Sequence, residues 1–175
     1  LQKRYPELAN VTIALPLIGH RPVYYLRANA PAFVLQSVNG TYVLDATGKA
    51  LIAKDTAATT ITGNLPVLTD QTGLHVKLGS QAISSNNTQF IRTVVATLAS
   101  QQLKVSALIL PTGAAQELDV QIEGKPYSIK FNMHDSESAR QQVGTFIATA
   151  NQLVGQHITP SQYVDVRVLG RAYYQ

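Results

Sequence analysis

The chain has 175 residues, a net charge of +4, an isoelectric point near 9.4 and no cysteine. This length suits one domain or two small ones with an apolar core, and the lack of cysteine excludes disulfides, thiolate metal sites and cysteine nucleophiles. The basic residues are scattered, and their longest run is Lys3-Arg4, so the charge pattern predicts no nucleic-acid partner.

The first third of the chain reads as strands joined by turns. Alternating apolar residues predict a strand over residues 11–15, and the run at 21–27 predicts a second. Two more strands flank Asn39-Gly40, where we predict a hairpin turn with positive φ at both residues. A further turn at 45–48 precedes a short apolar strand.

A stretch without apolar periodicity, KDTAATTITGN, follows at residues 54–64. We therefore predict a domain boundary or a long crossing loop here; as a boundary, it would divide the chain into units at 1–55 and 65–175. The second unit opens with a strand at LPVL. Asn86 or Asn87 is then expected to cap a helix with an apolar stripe on one side. The stripe consists of Phe90, Ile91, Val94, Val95 and Leu98.

The rest of the second unit reads as strand, hairpin, helix and strand. The hairpin turns at Glu123-Gly124-Lys125, between two runs with alternating apolar residues. Asp135 or Ser136 is expected to begin the longest helix, which ends at Gly155. Its predicted apolar face consists of Ala139, Val143, Phe146, Ile147, Ala150, Leu153 and Val154.

The chain closes with YVDVRVLGRAYYQ, residues 163–175. Alternation predicts a strand with Tyr163, Asp165 and Arg167 on one face and valines on the buried face. Charges and tyrosines near a terminus, where most chains fray, indicate a surface for a partner. The alternative is that Asp165 and Arg167 only pair with each other on a solvated face. The candidate partner-binding residues are Tyr163, Asp165, Arg167, Val168, Gly170, Arg171, Tyr173 and Tyr174.

No catalytic or metal-binding motif is evident. The four histidines, at 20, 75, 134 and 157, include no pair at i, i+4 spacing. Glu117, Asp119 and Glu123 share one strand face, which we interpret as solvated rather than catalytic. A nucleophile elbow and a phosphate-binding loop are missing from the sequence. We therefore expect no enzymatic activity, no metal and no cofactor.

Three stretches resemble the bacterial cell division proteins FtsQ and DivIB. The first covers residues 20–51, the second is the Leu-Pro pair that opens the family's second domain, and the third is the family's Asp-hydrophobic-Arg strand. Together they extend over nearly the whole chain. The residues that carry the resemblance are Arg21, Pro22-Val23, Asn39-Gly40, Asp45, Gly48, Leu65-Pro66, Asp165, Arg167 and Gly170-Arg171.

This resemblance implies an α+β fold in two parts. Residues 1–55 would be the C-terminal part of a POTRA-like domain. Residues 65–175 would be the family's β domain, with two helices packed on a mostly antiparallel sheet. The chain begins with Leu1 rather than Met, and no window reaches the roughly 18 apolar residues of a membrane span. Since the family's members are single-pass proteins of the bacterial plasma membrane, the resemblance implies that this chain is an extracytoplasmic fragment whose N-terminal span is absent from it.

The resemblance also implies a function. Members of the family are non-catalytic scaffolds that join FtsB or DivIC and FtsL in the division complex at the septum. The last strands of the β domain would carry that contact, most simply by adding a partner's strand to the sheet. Two alternatives remain open: a POTRA-containing transport or secretion scaffold, and a cell-wall enzyme with an unrecognised site.

Overall fold

A computed structural model describes residues 4–15, 21–53, 65–113, 116–134 and 139–175. Within these ranges the chain forms two helices, α1 (Ser85–Ser100) and α2 (Ala139–Gly155). The strands are β1 (Leu8–Ala14), β2 (Val23–Ala28), β3 (Pro31–Ser37), β4 (Gly40–Asp45), β5 (Ala50–Ala53), β6 (Val67–Asp70), β7 (Val105–Leu110), β8 (Glu117–Ile122), β9 (Ser128–Asn132), β10 (Tyr163–Asp165) and β11 (Tyr173–Tyr174).

Nine of the strands form one sheet, in the order β11-β10-β9-β8-β7-β6-β3-β4-β5. Neighbouring strands are antiparallel except at β10–β9, β7–β6 and β6–β3. Every second side chain along these strands belongs to a core that also contains residues of α1 and α2. Both helices therefore cover the same face of the sheet. The α+β class expected from the sequence, two helices on a mostly antiparallel sheet, is confirmed.

Each helix packs on the sheet through an apolar stripe. In α1 the stripe includes Phe90, Val94 and Leu98, which are buried as predicted. The cap of this helix is Ser84, whose side chain accepts a hydrogen bond from the Asn87 N–H, so the prediction of Asn86 or Asn87 as the cap is wrong.

The stripe of α2 is buried at four of its predicted positions, Ala139, Val143, Phe146 and Leu153. Val154 lies in the same predicted stripe but is exposed. The predicted start of α2, at Asp135 or Ser136, lies outside the described residues.

The turn between β3 and β4 differs from the predicted one. Ser37 pairs with Gly40, so the two loop residues are Val38 and Asn39. Gly40 has a positive φ of 141°, whereas Asn39 does not. Asn39 instead uses its side chain, which donates to the Val76 carbonyl at 2.8 Å and accepts from the Val76 N–H at 3.0 Å. The hairpin is thereby fastened to the segment that precedes α1.

The large sheet does not break at the domain boundary expected between residues 55 and 65. β3 pairs in parallel with β6, so strands from both sides of that stretch are neighbours in one sheet. Phe33 and Leu35 of β3 also enter the core that contains the helix residues. Residues 54–64 themselves lie outside the described residues.

The piece that stands apart from the large sheet is the hairpin of β1 and β2, which forms its own two-stranded sheet. It is joined to the chain ahead of β3 by Asn29, whose N–H donates to the Glu7 carbonyl at 2.7 Å. Two-stranded hairpins are marginal alone. Its exposed apolar side chains include Ile13, Val23, Tyr24, Tyr25 and Leu26.

Candidate functional site

The chain end forms two short strands instead of the single strand predicted for residues 163–174. β10 ends at Asp165, and the chain turns where the Arg171 N–H donates to the Val168 carbonyl at 3.0 Å. Gly170 has a φ of +69° in this turn, which a glycine adopts without strain. β11 then returns antiparallel to β10. We call residues 166–172 the return.

β11 is one edge of the nine-stranded sheet. Its neighbour Gln175 accepts hydrogen bonds from the N–H groups of Ser161 and Gln162, both at 2.8 Å, and donates to the Tyr163 carbonyl at 3.2 Å. Successive residues direct their backbone groups to opposite sides of a strand, so the N–H and C=O of Tyr174 point to the open side. Such an edge can accept another strand.

The two faces beside this edge differ. Tyr174 is opposite Val164, which is buried on the helix side of the sheet, whereas Tyr173 is opposite Asp165 on the other side. Both tyrosines are exposed, at 50% and 46% for Tyr173 and Tyr174. Between Tyr174 and α2 runs a groove of about 450 Å³. Its lining is uncharged: Thr145, Ala148, Thr149, Gln152, Leu153, Gln156, Gly170, Ala172 and Tyr174.

On the face away from the helices lies a cluster of five charged side chains, which we call the charged cluster. Arg167 is its centre. Its Nε and Nη2 donate to Oδ1 and Oδ2 of Asp165 at 2.9 Å and 2.5 Å, and its Nη1 donates to Oε2 of Glu117 at 2.6 Å. Paired, charge-assisted bonds of this kind fix a guanidinium in one orientation. The members are Glu117, Asp119, Lys130, Asp165 and Arg167.

Lys130, on β9, connects the two carboxylates of β8. Its Nζ lies 3.3 Å from Oε1 of Glu117 and 3.3 Å from Oδ2 of Asp119. It also lies 5.8 Å from the centre of the Tyr163 ring, within cation–π range. The side chain of Glu117 is only 9% exposed, so this carboxylate is buried between two cations, Lys130 and Arg167.

The pKa values in the cluster follow from burial and from these partners. Burial acts to raise the pKa of Asp165, but hydrogen bonds from the side chain and backbone of Arg167 outweigh it and hold that pKa below its usual value. Burial also raises the pKa of Asp119, and there it prevails over the charge of Lys130. The hydrogen bond to Asp165 raises the pKa of Arg167. The cluster therefore favours ionised Asp165 and disfavours ionised Asp119.

The candidate residues from the sequence are thus divided between two roles. Tyr173, Tyr174 and Arg171 are exposed at or beside the open edge, whereas the charges of Asp165 and Arg167 are engaged within the chain. The expected pairing of these two residues is present, but it includes Glu117 as well. Val168, predicted on the buried face, is exposed in the return.

Sequence reasoning missed Glu117 and Lys130 as members of this cluster. Glu117 was expected on a solvated face, and that expectation is wrong because its carboxylate lies beneath Arg167 and Lys130. The register of the β8–β9 hairpin could have predicted the contact of Lys130 with Asp119, because it places these two residues directly opposite each other. Nothing local in the sequence links Glu117 to Arg167, which is 50 residues away.

No group of three or more metal-ligating side chains occurs among the residues that the structure describes. Neither helix in these ranges has the length and apolar character needed to cross a membrane. A scan against models of known protein families finds no match, and a search of curated proteins finds no significant similarity. The function is therefore inferred from the residues and their geometry.

Proposed function

We propose that this protein is a non-catalytic scaffold of the bacterial division complex, of the FtsQ and DivIB kind, and that a partner adds a strand to the edge formed by β11. The partner would be an FtsB-like or DivIC-like protein, with an FtsL-like protein in the same complex. The protein would act on the extracytoplasmic side of the plasma membrane. The resemblance of the sequence motifs supports this assignment.

The single observation that carries the proposal is the open edge of β11. Tyr174 directs its backbone N–H and C=O away from β10, and two exposed tyrosines flank those groups. Tyrosine is enriched at protein interfaces because its ring is apolar and its hydroxyl can hydrogen-bond. The unpaired backbone groups of an exposed edge can hydrogen-bond to a strand from a partner.

The strand order changes which residues we assign to each of the two expected domains. The hairpin of β1 and β2 would be the remainder of a POTRA-like domain, because it is the unit separate from the large sheet. The β domain would then begin at β3 and include the strands up to Ala53. In that arrangement the expected linker at 54–64 would be a crossing segment within the β domain.

The test is a titration of the FtsB-like or DivIC-like peptide against wild type, Tyr174→Pro and Tyr174→Ala. Proline removes the N–H that faces the partner but leaves the bonds of Gln175 to β10, and edge strands tolerate proline. Both variants lose the tyrosine ring. Tyr174→Pro should therefore bind about fivefold to tenfold more weakly than Tyr174→Ala, the value of one net hydrogen bond.

Equal affinities of the two variants would overturn strand addition at this edge. No binding of the peptide to wild type would overturn the assignment to the division complex. Thermal melts of all three proteins accompany the titration, so that a loss of binding is compared only between folded samples.

A further inference from the structure

Few backbone bonds join the return to the rest of the described chain. Its first residue, Val166, donates to the Lys130 carbonyl at 3.0 Å, and a single turn bond joins Arg171 to Val168. β11 itself is two residues long. So short a pair adds little stability alone, since an isolated two-stranded ribbon is marginal. Other contacts must hold the return where it lies.

The side chain of Arg167 supplies such a contact. It lies within the return, and its guanidinium donates to two carboxylates, those of Asp165 and Glu117. Asp165, at the end of β10, takes three of its hydrogen bonds: two from the guanidinium and one from the backbone N–H. Asp165 is only two residues away, so this contact alone fixes Arg167 to its own neighbourhood. Glu117 is different, since it belongs to β8 and reaches Arg167 past β9.

We propose that Glu117 is a positioning residue, which acts through Arg167 to hold the return and β11 in the shape that leaves the edge ready for a partner strand. This inference rests on the proposed function. Glu117 does not touch the partner, since its side chain is 9% exposed. A pre-formed edge binds more tightly because less conformational entropy is lost on binding.

The two carboxylate oxygens of Glu117 have different partners. Oε2 accepts from Arg167 and Oε1 lies 3.3 Å from Lys130, so one carboxylate connects the return to β8 and to β9. A buried carboxylate needs such partners, and removing one member of a buried pair leaves the other uncompensated. The geometry therefore links the position of Arg167 to two interior strands of the sheet, β8 and β9.

Asp119 offers a matched control. It lies on the same strand and the same face as Glu117 and also pairs with Lys130, but Arg167 gives its hydrogen bonds to Asp165 and Glu117 instead. The charged cluster has three carboxylates and two cations, so Glu117→Gln and Asp119→Asn each bring its net charge from −1 to 0. The two variants differ in whether Arg167 loses an ionised partner.

The experiment measures amide hydrogen exchange in the free protein, without any partner. The reporters are the N–H groups of Ser161, Gln162 and Gln175, whose bonds join the chain end to β10. Glu117→Gln should speed their exchange about tenfold, as expected for the loss of a charge-assisted hydrogen bond, while the amides of β8 and β9 stay protected. Asp119→Asn should leave the three reporters unchanged.

Unchanged exchange in Glu117→Gln would overturn the inference, and so would equal acceleration in both variants, because a general effect of charge would then explain it. Arg167→Lys guards against a folding failure of Glu117→Gln: it keeps the positive charge but loses the paired guanidinium bonds, and it should also speed exchange at the three reporters. Protected reporters in Arg167→Lys would count against the inference.

A titration with the FtsB-like or DivIC-like peptide completes the test. Glu117→Gln should weaken binding about threefold to tenfold, and Asp119→Asn should not. If wild type binds no peptide, the proposed function fails, and the exchange result still decides whether Glu117 positions the edge.

Discussion

Oε2 of Glu117 lies 2.6 Å from Nη1 of Arg167, although the two residues are 50 positions apart in the chain. The contact crosses β9 and joins the return to the middle of the sheet. Arg167 was expected to face a partner, and its side chain is 40% exposed, but its hydrogen bonds are directed to Asp165 and Glu117. The residue is therefore tied to the fold as well as to the proposed interface.

Reversing this charge should destabilise the protein. Arg167→Glu would place a third carboxylate beside Asp165 and Glu117 and would leave Glu117 with Lys130 alone. We expect a loss of about 2 kcal/mol in the free energy of unfolding, below the range for fully buried pairs because Arg167 is partly exposed.

The matched control is Arg171→Glu, which reverses a charge on an exposed residue in the same return. It should change the free energy of unfolding by less than about 0.5 kcal/mol. Urea unfolding of both variants beside wild type measures the difference. If Arg167→Glu is as stable as Arg171→Glu, the contacts of Arg167 contribute no stability.

The pKa of Asp165 predicts a pH dependence. Because that pKa is lower in the folded protein than in the unfolded chain, its contribution to stability is complete above the unfolded value, near 3.9, and is lost as the pH falls through the folded value. Asp165→Asn should cost about 1–2 kcal/mol at pH 7, allowing for partial screening by solvent. The difference from wild type should shrink as the pH falls below about 4.

The pKa of Asp119 is shifted in the opposite direction, so its effect on stability has the opposite pH dependence. Burial raises the pKa of Asp119, so the folded state favours its protonated form, and this contribution to stability is lost as the pH rises through the folded value. Asp119→Asn should therefore cost little or nothing at pH 7. Thermal melts from pH 2 to pH 7 test both variants. If the difference in stability between wild type and Asp165→Asn stays constant over this range, the pKa of Asp165 is not lowered in the folded protein.

Local patterns predicted much of the fold. The alternation at 117–133 indicates the hairpin of β8 and β9, and the turn at Gly124 lies where it was placed. The apolar stripe of α1 is buried because helical spacing puts its members on one side. These features depend on residues close together in the sequence, which is why periodicity finds them.

Features that depend on distant residues were not predicted. The parallel pairing of β3 with β6 joins strands on either side of an aperiodic stretch, and no local signal specifies such a pairing. β11 has two residues, too few for any period to be seen. The burial of Glu117 depends partly on Arg167, far along the chain, which covers this strand face together with Lys130.

The cap of α1 gives a simple stability test. Ser84 accepts a hydrogen bond from the Asn87 N–H at 3.1 Å, and that N–H lies in the first turn of the helix, where no helical carbonyl can serve it. Ser84→Ala should lower the free energy of unfolding by about 1 kcal/mol. Asn87→Ala is the comparison, since Asn87 was also expected to cap; it keeps the backbone N–H that Ser84 accepts from, and it should cost less. Chemical unfolding measures both, and the reverse order would contradict the cap.

Position 48 requires glycine for two reasons, its positive φ and the close approach of neighbouring atoms. Its φ is +90°, and a Cβ built on it would lie 2.2 Å from the Ile83 carbonyl oxygen and 2.7 Å from Oγ1 of Thr88. The Ala82 N–H donates to the Gly48 carbonyl at 2.9 Å, so the turn after β4 is bonded to the segment that leads into α1. A side chain at Gly48 would force these two segments apart.

Gly124 allows the two effects to be separated. Its φ of +75° is comparable, but a Cβ there would meet no atom within 4 Å. Gly124→Ala should therefore cost only the backbone strain, about 1 kcal/mol. Gly48→Ala should cost about 3 kcal/mol or more, because the clash with a backbone oxygen is added to that strain. Equal losses on urea unfolding would mean that the approach of Ile83 to Gly48 is looser than the structure indicates.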